Sequence, residues 1–550
     1  MHTPLGLVAG LAACVTLAAC AGGGGSSAAM PTPTPPSSSP PPSPPSSATG
    51  TDVLTYKYDL SRSGLNPTES TLTPANVAPA TFGLLRVLSV DGKVDAQPLY
   101  VTNVAVAGAP HNAVIVATEH DSVYAFDSAT GASLWKVSLL ASGEVSSDTH
   151  GCGQITPEIG ITSTPVIDRG AGSHGTVFAV AMSKDASSAY HQRLHALDLA
   201  TGAELLQGPV EISATFPSAG GGTTTFSPGQ YAERAALLLT NGTIVTSWTS
   251  HCDITPYSGW IIAFAENTLT RTAVLNVGPN GEAGPAIWMS GGGPAADSAG
   301  NIFLLTANGA FETVLDANGF PQHGDFGNSF LKVAMTGGTL TVADYFTMSP
   351  EVAESAADRD LGSGGAMLLP DLKDAAGTVR HLVIGAGKDG NLYVVDRDSM
   401  GKFNATANAI WQQLNNALPG EVFSTPAYFN GTIYYGDANS TLKAFSITNA
   451  KLSSAPQSQS PTAFTFPGTA PSVSANGTVN GIVWAHENAN PAVLHAYDAA
   501  NLATELYNSS QAAGGRDQLG PGNKFITPIV ADGKVFVAGS GAVAVFGLLH

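Results

Sequence analysis

Short apolar strands of one design punctuate the chain: SVYAFD from 122, RLHALD from 193, GWIIAF from 259, SFLKV from 329, NLYVVD from 391, TLKAFS from 441, VLHAYD from 493 and AVAVFG from 542. In each, successive side chains fall on alternate faces, the period of an extended strand. The eight copies recur at intervals of roughly 50 to 70 residues, with strand-and-turn text between them. Self-similarity of that period marks an array of small sheets. Such an array closes most naturally as a β-propeller, which leaves no long exposed edge.

Composition agrees with this reading. Only 11% of the 550 residues are charged, while 62 are Gly and 36 are Pro, which suits many strands joined by tight turns and argues against a helical protein. No long amphipathic helical pattern interrupts the repeats. The formal net charge of -19 comes without a compensating Lys/Arg cluster, so a surface that tracks phosphates is excluded and no nucleic-acid partner is expected.

The best-preserved repeat runs from 113 to 139, AVIVATEHDSVYAFDSATGASLWKVSL. VYAFD is an alternating strand, Thr130-Gly131 supplies a tight turn in which Gly is free to take positive φ, and LWKVSL is the outgoing strand, with Trp135 available to pack between sheets. The unit returns from 194 as LHALDLATGAELL, with Leu206 in place of the Trp. Ala125, Asp127, Thr130, Gly131 and Trp135 match the A-x-D-x-x-T-G-x-x-x-W signature, and on these residues the chain resembles the pyrroloquinoline-quinone-like (PQQ-like) repeat family. That family includes quinoprotein dehydrogenases and the outer-membrane barrel-assembly lipoprotein. Later copies keep the strand and lose the turn, as from Asp396 to Gly401 and from Asp498 to Thr504. With the spacing, the resemblance extends from about 54 to 550.

The resemblance implies blades of four antiparallel strands, innermost first. Innermost strands then fall near QPLYV (97), STPVID (163), AALLLT (235), GPAAD (293), AMLLP (366), STPAYF (424), APSVSA (470) and ITPIVA (526). The last copy stops after three strands, while FGLLRVLSV from 82 stands alone ahead of the first. The expected fold class is therefore all-β: an eight-bladed β-propeller whose N-terminal strand completes the last blade.

The chain begins with twenty apolar and small residues, too short a run to span a bilayer comfortably and built like an export signal. Leu17-Ala18-Ala19-Cys20 resembles a bacterial lipobox, in which the Cys becomes the diacylated first residue of the mature protein. An earlier LAAC ends at Cys14, but Cys20 leads into the flexible text an anchored globule needs. The n-region has His2 and no Lys or Arg, so an ordinary secretory signal is the alternative. The expected organisation is a signal peptide at 1–19, lipidated Cys20 with a Gly/Ser/Pro-rich tether to 50, and the propeller from 51 to 550. Ala21, rather than Asp, follows the lipidated Cys and favours the outer membrane of a two-membrane cell. A monomer is expected.

In a propeller, the loops leading into each innermost strand and those joining second to third strands open on one face, and the Thr-Gly turns open on the other. Nearly every His, Cys and clustered charge falls on the first face, which we expect to carry function. Its candidates are Glu119, His120 and Asp121, with Glu119 and Asp121 on one side if the segment is extended; Glu158, in a compact PEIGIT segment near the axis; His251; Trp288, a stacking floor or a blade seal; and the pairs Lys388-Asp389 and Arg516-Asp517, ligand contacts or loop ion pairs. Cys152 and Cys252 are expected to form a disulfide in an oxidising compartment. Zinc bound by both with His150 and His251 is the alternative.

The dehydrogenases of this family hold a quinone over a Trp, bind Ca²⁺ through oxygen ligands and use an Asp base. Many carry two adjacent disulfide-linked cysteines. This chain has neither a Cys-Cys pair nor a C-x-x-C-H haem site. The expected function is thus a noncatalytic, lipid-anchored propeller that presents a binding face to an envelope protein or a small polar ligand. The alternatives are a PQQ- and Ca²⁺-dependent alcohol or sugar dehydrogenase with a divergent site, and a carbohydrate-active enzyme using carboxylates such as Glu119 and Glu158.

Overall fold

The structure, a computed structural model, describes residues 51–280 and 284–549. The signal segment, Cys20 and the tether lie outside the described residues. Eight antiparallel sheets follow one another around an axis. In blade 1, Leu99–Val106, Ala109–Ala117, Ser122–Asp127 and Ser133–Ser138 pair in chain order. Blade 2 repeats the order with Val166–Asp168, Thr176–Lys184, Tyr190–Asp198 and Val210–Glu211. The innermost strands of blades 3 to 7 are Leu238–Thr240, Ala295–Ala296, Met367–Leu368, Ala427–Phe429 and Ser472–Asn476. The eight-bladed expectation holds. A single short α-helix, Glu351–Ala356, is present among the described residues, and no described helix is long and apolar enough to cross a membrane.

The repeat signature has a physical basis in the turns. One Asp127 oxygen accepts the backbone N–H groups of Ala129 (3.0 Å) and Thr130 (2.7 Å) and the Thr130 hydroxyl (2.8 Å), and Gly131 follows at φ +77°. Asp198 organises its turn through Ala200 and Thr201 in the same way. The first turn's Trp135 reaches the second turn: its indole N–H donates to the Leu199 carbonyl at 3.1 Å, and a Cβ on Gly202 would sit 2.7 Å from the ring. The glycine therefore serves both the left-handed backbone (φ +72°) and the indole lying on it. Trp411 of blade 5 makes the equivalent bond to the Ala450 carbonyl at 2.6 Å. The joint survives there although the rest of the motif has drifted.

Blade 8 is made from both ends of the chain. Ile529–Ala531 pairs with the first part of Lys534–Leu548, and Phe82–Lys93 pairs antiparallel with its later part, Phe82 opposite Leu548. Phe82 is fully buried in an aromatic group with Trp484 (5.5 Å) and Tyr507 (5.0 Å, edge-on). Burial of such a ring stabilises the closure by about 2–3 kcal/mol.

One feature of the N-terminal region has no sequence signature. Residues 53 to 65 circle the axis and bond in turn to the innermost strands: Val53 with Tyr100, Leu54 with Ile167, Leu60 with Ala296, Ser61 with Leu368, Ser63 with Tyr428 and Gly64 with Val473. This segment plugs the axial channel. Its two cations are fully buried: Arg62 donates to the carbonyls of Tyr56, Leu237 and Pro294, and Lys57 to those of Thr425, Pro426 and Pro471. Burial holds the Lys57 ammonium down at about 7. Backbone carbonyls that lose strand partners at the axis thus receive charged donors instead.

Candidate functional site

Above the plug, on the face where the long loops open, lies a cavity of about 370 Å³, within the range of small-molecule sites. One wall is aromatic. Trp288 stands 6.1 Å from Phe423 and 6.3 Å from Phe525, ring to ring, and Phe423 meets Phe466 edge-on at 5.2 Å. Two cations share Phe525: the Arg234 guanidinium lies 5.5 Å from its centroid and the Lys524 ammonium 5.7 Å. Arg234 is held by the Thr162 carbonyl at 2.8 Å, and Lys524 by the Gln154 carbonyl at 2.6 Å. Burial, then the charge of Arg234, lowers the Lys524 ammonium.

Carboxyls occupy the opposite side. Asp95 accepts from the Asn523 amide at 2.6 Å and lies 3.9 Å from Arg234. Glu119, almost fully buried, has one carboxyl oxygen without a partner, and burial together with the neighbouring Asp95 pushes it up to about 9. Behind the wall, Glu233 is held only by the Ser247 N–H at 3.3 Å, and burial raises it well above the carboxylate range. Lys388 binds Asp360 at 2.7 Å and Asp358 at 3.1 Å; burial opposes its charge, but Asp360 outweighs that and raises it.

The sequence candidates divide. Glu119, His251, Trp288 and Lys388 line the cavity. His120 and Glu158 instead pair with each other at 2.9 Å, both partly exposed, and neither lines it. The expected alternation of Glu119 and Asp121 fails because 118–121 is a turn rather than extended chain: Asp121 takes φ +52° and its N–H bonds to the Thr118 carbonyl. Its carboxyl is fully buried, with its charge disfavoured by burial. Gly160 explains the compact PEIGIT segment, since a Cβ there would come within 2.3 Å of the Glu119 carbonyl oxygen.

Asp389 and the pair Arg516-Asp517 are engaged within the scaffold. Asp389 accepts from the Tyr393 hydroxyl and the Asn391 amide within blade 5 and does not line the cavity. Asp517 is fully buried, accepts the Leu84 N–H at 3.0 Å and the Tyr507 hydroxyl at 2.8 Å, and pairs with Arg516, which also holds the Pro79 and Phe82 carbonyls. This pair clamps the closing strand.

Cys152 and Cys252 are disulfide-bonded, with Cα atoms 5.7 Å apart, which removes both sulfurs that the zinc alternative required. The bond draws the loop 152–156 onto the cavity wall beside His251. The His251 and His150 rings stack at 4.1 Å; burial, then His150, lowers His251 to about 4.

Asp95, Arg234, Phe423, Asn523, Lys524 and Phe525 escaped the sequence reading. The signal was nevertheless present: Arg234, Phe423 and Phe525 each stand four residues before an innermost strand begins, at Leu238, Ala427 and Ile529. Repeat register points that position at the axis.

Comparison with known proteins agrees with this geometry. The family model described as outer membrane protein assembly factor BamB matches residues 91–248. Over that stretch the chain is similar to a family of PQQ-like repeats, and its described residues fold as a propeller. Among solved structures, it is similar to the quinohemoprotein alcohol dehydrogenase of Comamonas testosteroni (14% identity, 90% of this chain and 80% of that one, TM-score 0.58). It is also similar to the quinohemoprotein alcohol dehydrogenase ADHIIG of Pseudomonas putida HK5 (15%, 90% and 80%, TM-score 0.60) and to a europium-containing methanol dehydrogenase (14%, 91% and 99%, TM-score 0.56). At these identities the likeness is one of fold. No curated protein matches the chain.

Calcium and a quinone are the groups this propeller type implies. The residues do not fit the ion. Asp95 is already engaged by Asn523 and faces Arg234, and among the described residues no group of three or more His, Cys, Asp and Glu side chains converges on a point. No step of quinone chemistry is derived.

Proposed function

We propose that this protein is a binding propeller of the bacterial envelope, exported and held by a lipid on Cys20, whose axial cavity takes a small planar ligand bearing an acidic group. The observation that carries the reading is the shared ring: Arg234 and Lys524 both lie over Phe525, in a wall continued by Trp288 and Phe423. Two like charges held together and partly desolvated, with Asp95 at 3.9 Å from Arg234 as the carboxylate facing them, favour a further anionic group. A flat ligand gains stacking on the aromatic wall at the same time. Glu119, kept protonated, offers a donor rather than a repelling charge.

The family model's description, an outer membrane protein assembly factor, supports the envelope location, while the lipid anchor rests on Leu17-Ala18-Ala19-Cys20. It also supports a second reading, capture of a protein by the rim, which has its own observation. Ile254, Val314 and Phe466 on loops, and Val352 on the short helix, are exposed apolar side chains of this one face. The dehydrogenase alternative retains the fold alone.

Calorimetric titration of the mature protein with pyrroloquinoline quinone and with aromatic dicarboxylates tests the cavity. Arg234→Met and Lys524→Met should each weaken binding about tenfold or more, the worth of one charge-assisted hydrogen bond. Unchanged affinity in both variants would place the ligand elsewhere. Dye reduction with quinone, Ca²⁺ and an alcohol would reinstate the dehydrogenase. The mass of the mature N-terminal peptide decides the anchor.

A further inference from the structure

A second cleft, of about 380 Å³, opens between blades 4 and 5 on the opposite face, where the tight turns lie. Ser61 of the plug contributes to its lining, and Lys332 and Arg397 are its cations. Both lie over one ring, Phe303: the Arg397 guanidinium at 5.7 Å from the centroid and the Lys332 ammonium at 5.9 Å. Lys332 donates to the Arg397 backbone carbonyl at 2.9 Å, which holds its ammonium beside the residue that carries the guanidinium.

Arg397 is unlike the other arginines. Arg62, Arg86, Arg169, Arg193, Arg234, Arg271, Arg359, Arg380 and Arg516 each reach a carbonyl, hydroxyl or carboxylate. The Arg397 guanidinium makes no hydrogen bond or ion pair among the described residues, and its Nε is buried without a partner. A buried unpaired donor on a permanent charge is costly unless a ligand completes it.

Three carboxylates, Asp297, Asp371 and Asp398, line the same cleft, and the contacts each makes are to groups other than Arg397. Asp297 accepts from the Ala299 and Asn301 N–H groups and the Asn301 amide of its own turn. Asp398 faces His381 at 2.8 Å, and Asp396 faces Arg380. Asp371 is largely exposed, with His381 as its contact at 3.7 Å, so its charge is screened by solvent. None of them is bonded to Arg397.

We propose that this cleft is a binding site for a small oxyanion group, phosphate or carboxylate, gripped by the Arg397 fork and the Lys332 ammonium. A planar guanidinium with adjacent free N–H groups matches such an oxyanion bidentately, and Lys332 adds a point charge from the side. The site is separate from the axial cavity and does not depend on what that cavity binds.

The test is thermal denaturation of the full chain with inorganic phosphate, acetate or chloride at matched ionic strength. Phosphate or acetate should raise the melting temperature and chloride should not. Phosphate stabilising alone assigns a phosphate group; acetate alone assigns a carboxylate. Arg397→Met and Arg397→Lys should each weaken the stabilising anion at least tenfold, the Lys variant retaining charge and packing over Phe303 while losing the fork. Arg271→Met, at an arginine that lines neither cavity and bonds the Ser213 carbonyl, should leave the response intact. No anion-specific stabilisation, or one that persists in Arg397→Lys and Lys332→Met, would overturn the proposal, as would its loss in Arg271→Met.

Discussion

The two faces of this propeller use the same residue types to opposite ends. On the turn face, the acids of the first two repeats are spent on their own backbone. Asp127 receives three donors from its turn and His111 on its other oxygen at 2.7 Å, and Asp198 receives His174 at 2.8 Å. Burial works against these carboxylates, but the hydrogen bonds outweigh it and hold both below the ordinary range. On the mouth face, Glu119, Glu233 and His251 are buried with polar atoms left unpaired, and each is driven toward its neutral form. Paired charge stabilises the scaffold, whereas unpaired charge marks where a ligand would be stabilising.

The sharpest way to break this comparison is to loosen the mouth without touching the turns. Replacing Cys152 and Cys252 together by Ser releases a loop of 100 residues, which a loop-closure argument values at about 4–5 kcal/mol. The urea midpoint should fall accordingly and the axial titration should fail. A loss under 1 kcal/mol would mean the mouth loops hold themselves. Next comes the scaffold. Trp135→Ala removes a buried indole from the Gly202 turn and should cost about 3–4 kcal/mol, and Trp411→Ala, half-buried, should cost clearly less. Equal losses in thermal melts would deny that the first joint is the better packed.

A smaller effect separates the faces by pH. Glu119 has its proton affinity raised by folding, so its contribution is fully present below its unfolded value near 4.5 and is lost as pH rises toward 9. Glu119→Gln should therefore be neutral at pH 4 and stabilising by on the order of 2 kcal/mol at pH 8. A pH-independent difference would show that the carboxyl is not buried as described. Asp127 runs the other way: its lowered value contributes stability above 3.8 that is lost as pH falls. His111→Ala, at a partly exposed pair, should cost at most about 1 kcal/mol at neutral pH by chemical denaturation.

Much of the fold was legible because strand alternation and turn chemistry are local. The eight third strands, the eight innermost strands and the closing strand at 82 all fall where the repeat register places them. A smaller part of the site was legible for a related reason: loops of one face are fixed by strand direction, so Glu119, His251, Trp288 and Lys388 could be sorted to the mouth. Asp389 and Asp517 were sorted to the same face but point into packing, and Arg516, though exposed, is held by Asp517. Nothing in the residue type distinguishes a clamp from a contact. The plug was invisible, since residues 53 to 65 form almost no regular structure and bond their backbone partly within the segment and partly to six blades.

The sequence by itself determined the repeat, the number of blades, the circular closure and the face on which unusual residues gather, because each depends on spacing and on the period-two alternation of side chains. Tertiary structure alone decided which charges are paired. That outcome depends on distances between loops far apart in the chain, as when Lys524 meets Gln154 or Arg234 and Lys524 share one ring. Desolvation and proximity, which set the chemistry of such groups, exist only once the blades have closed around the axis.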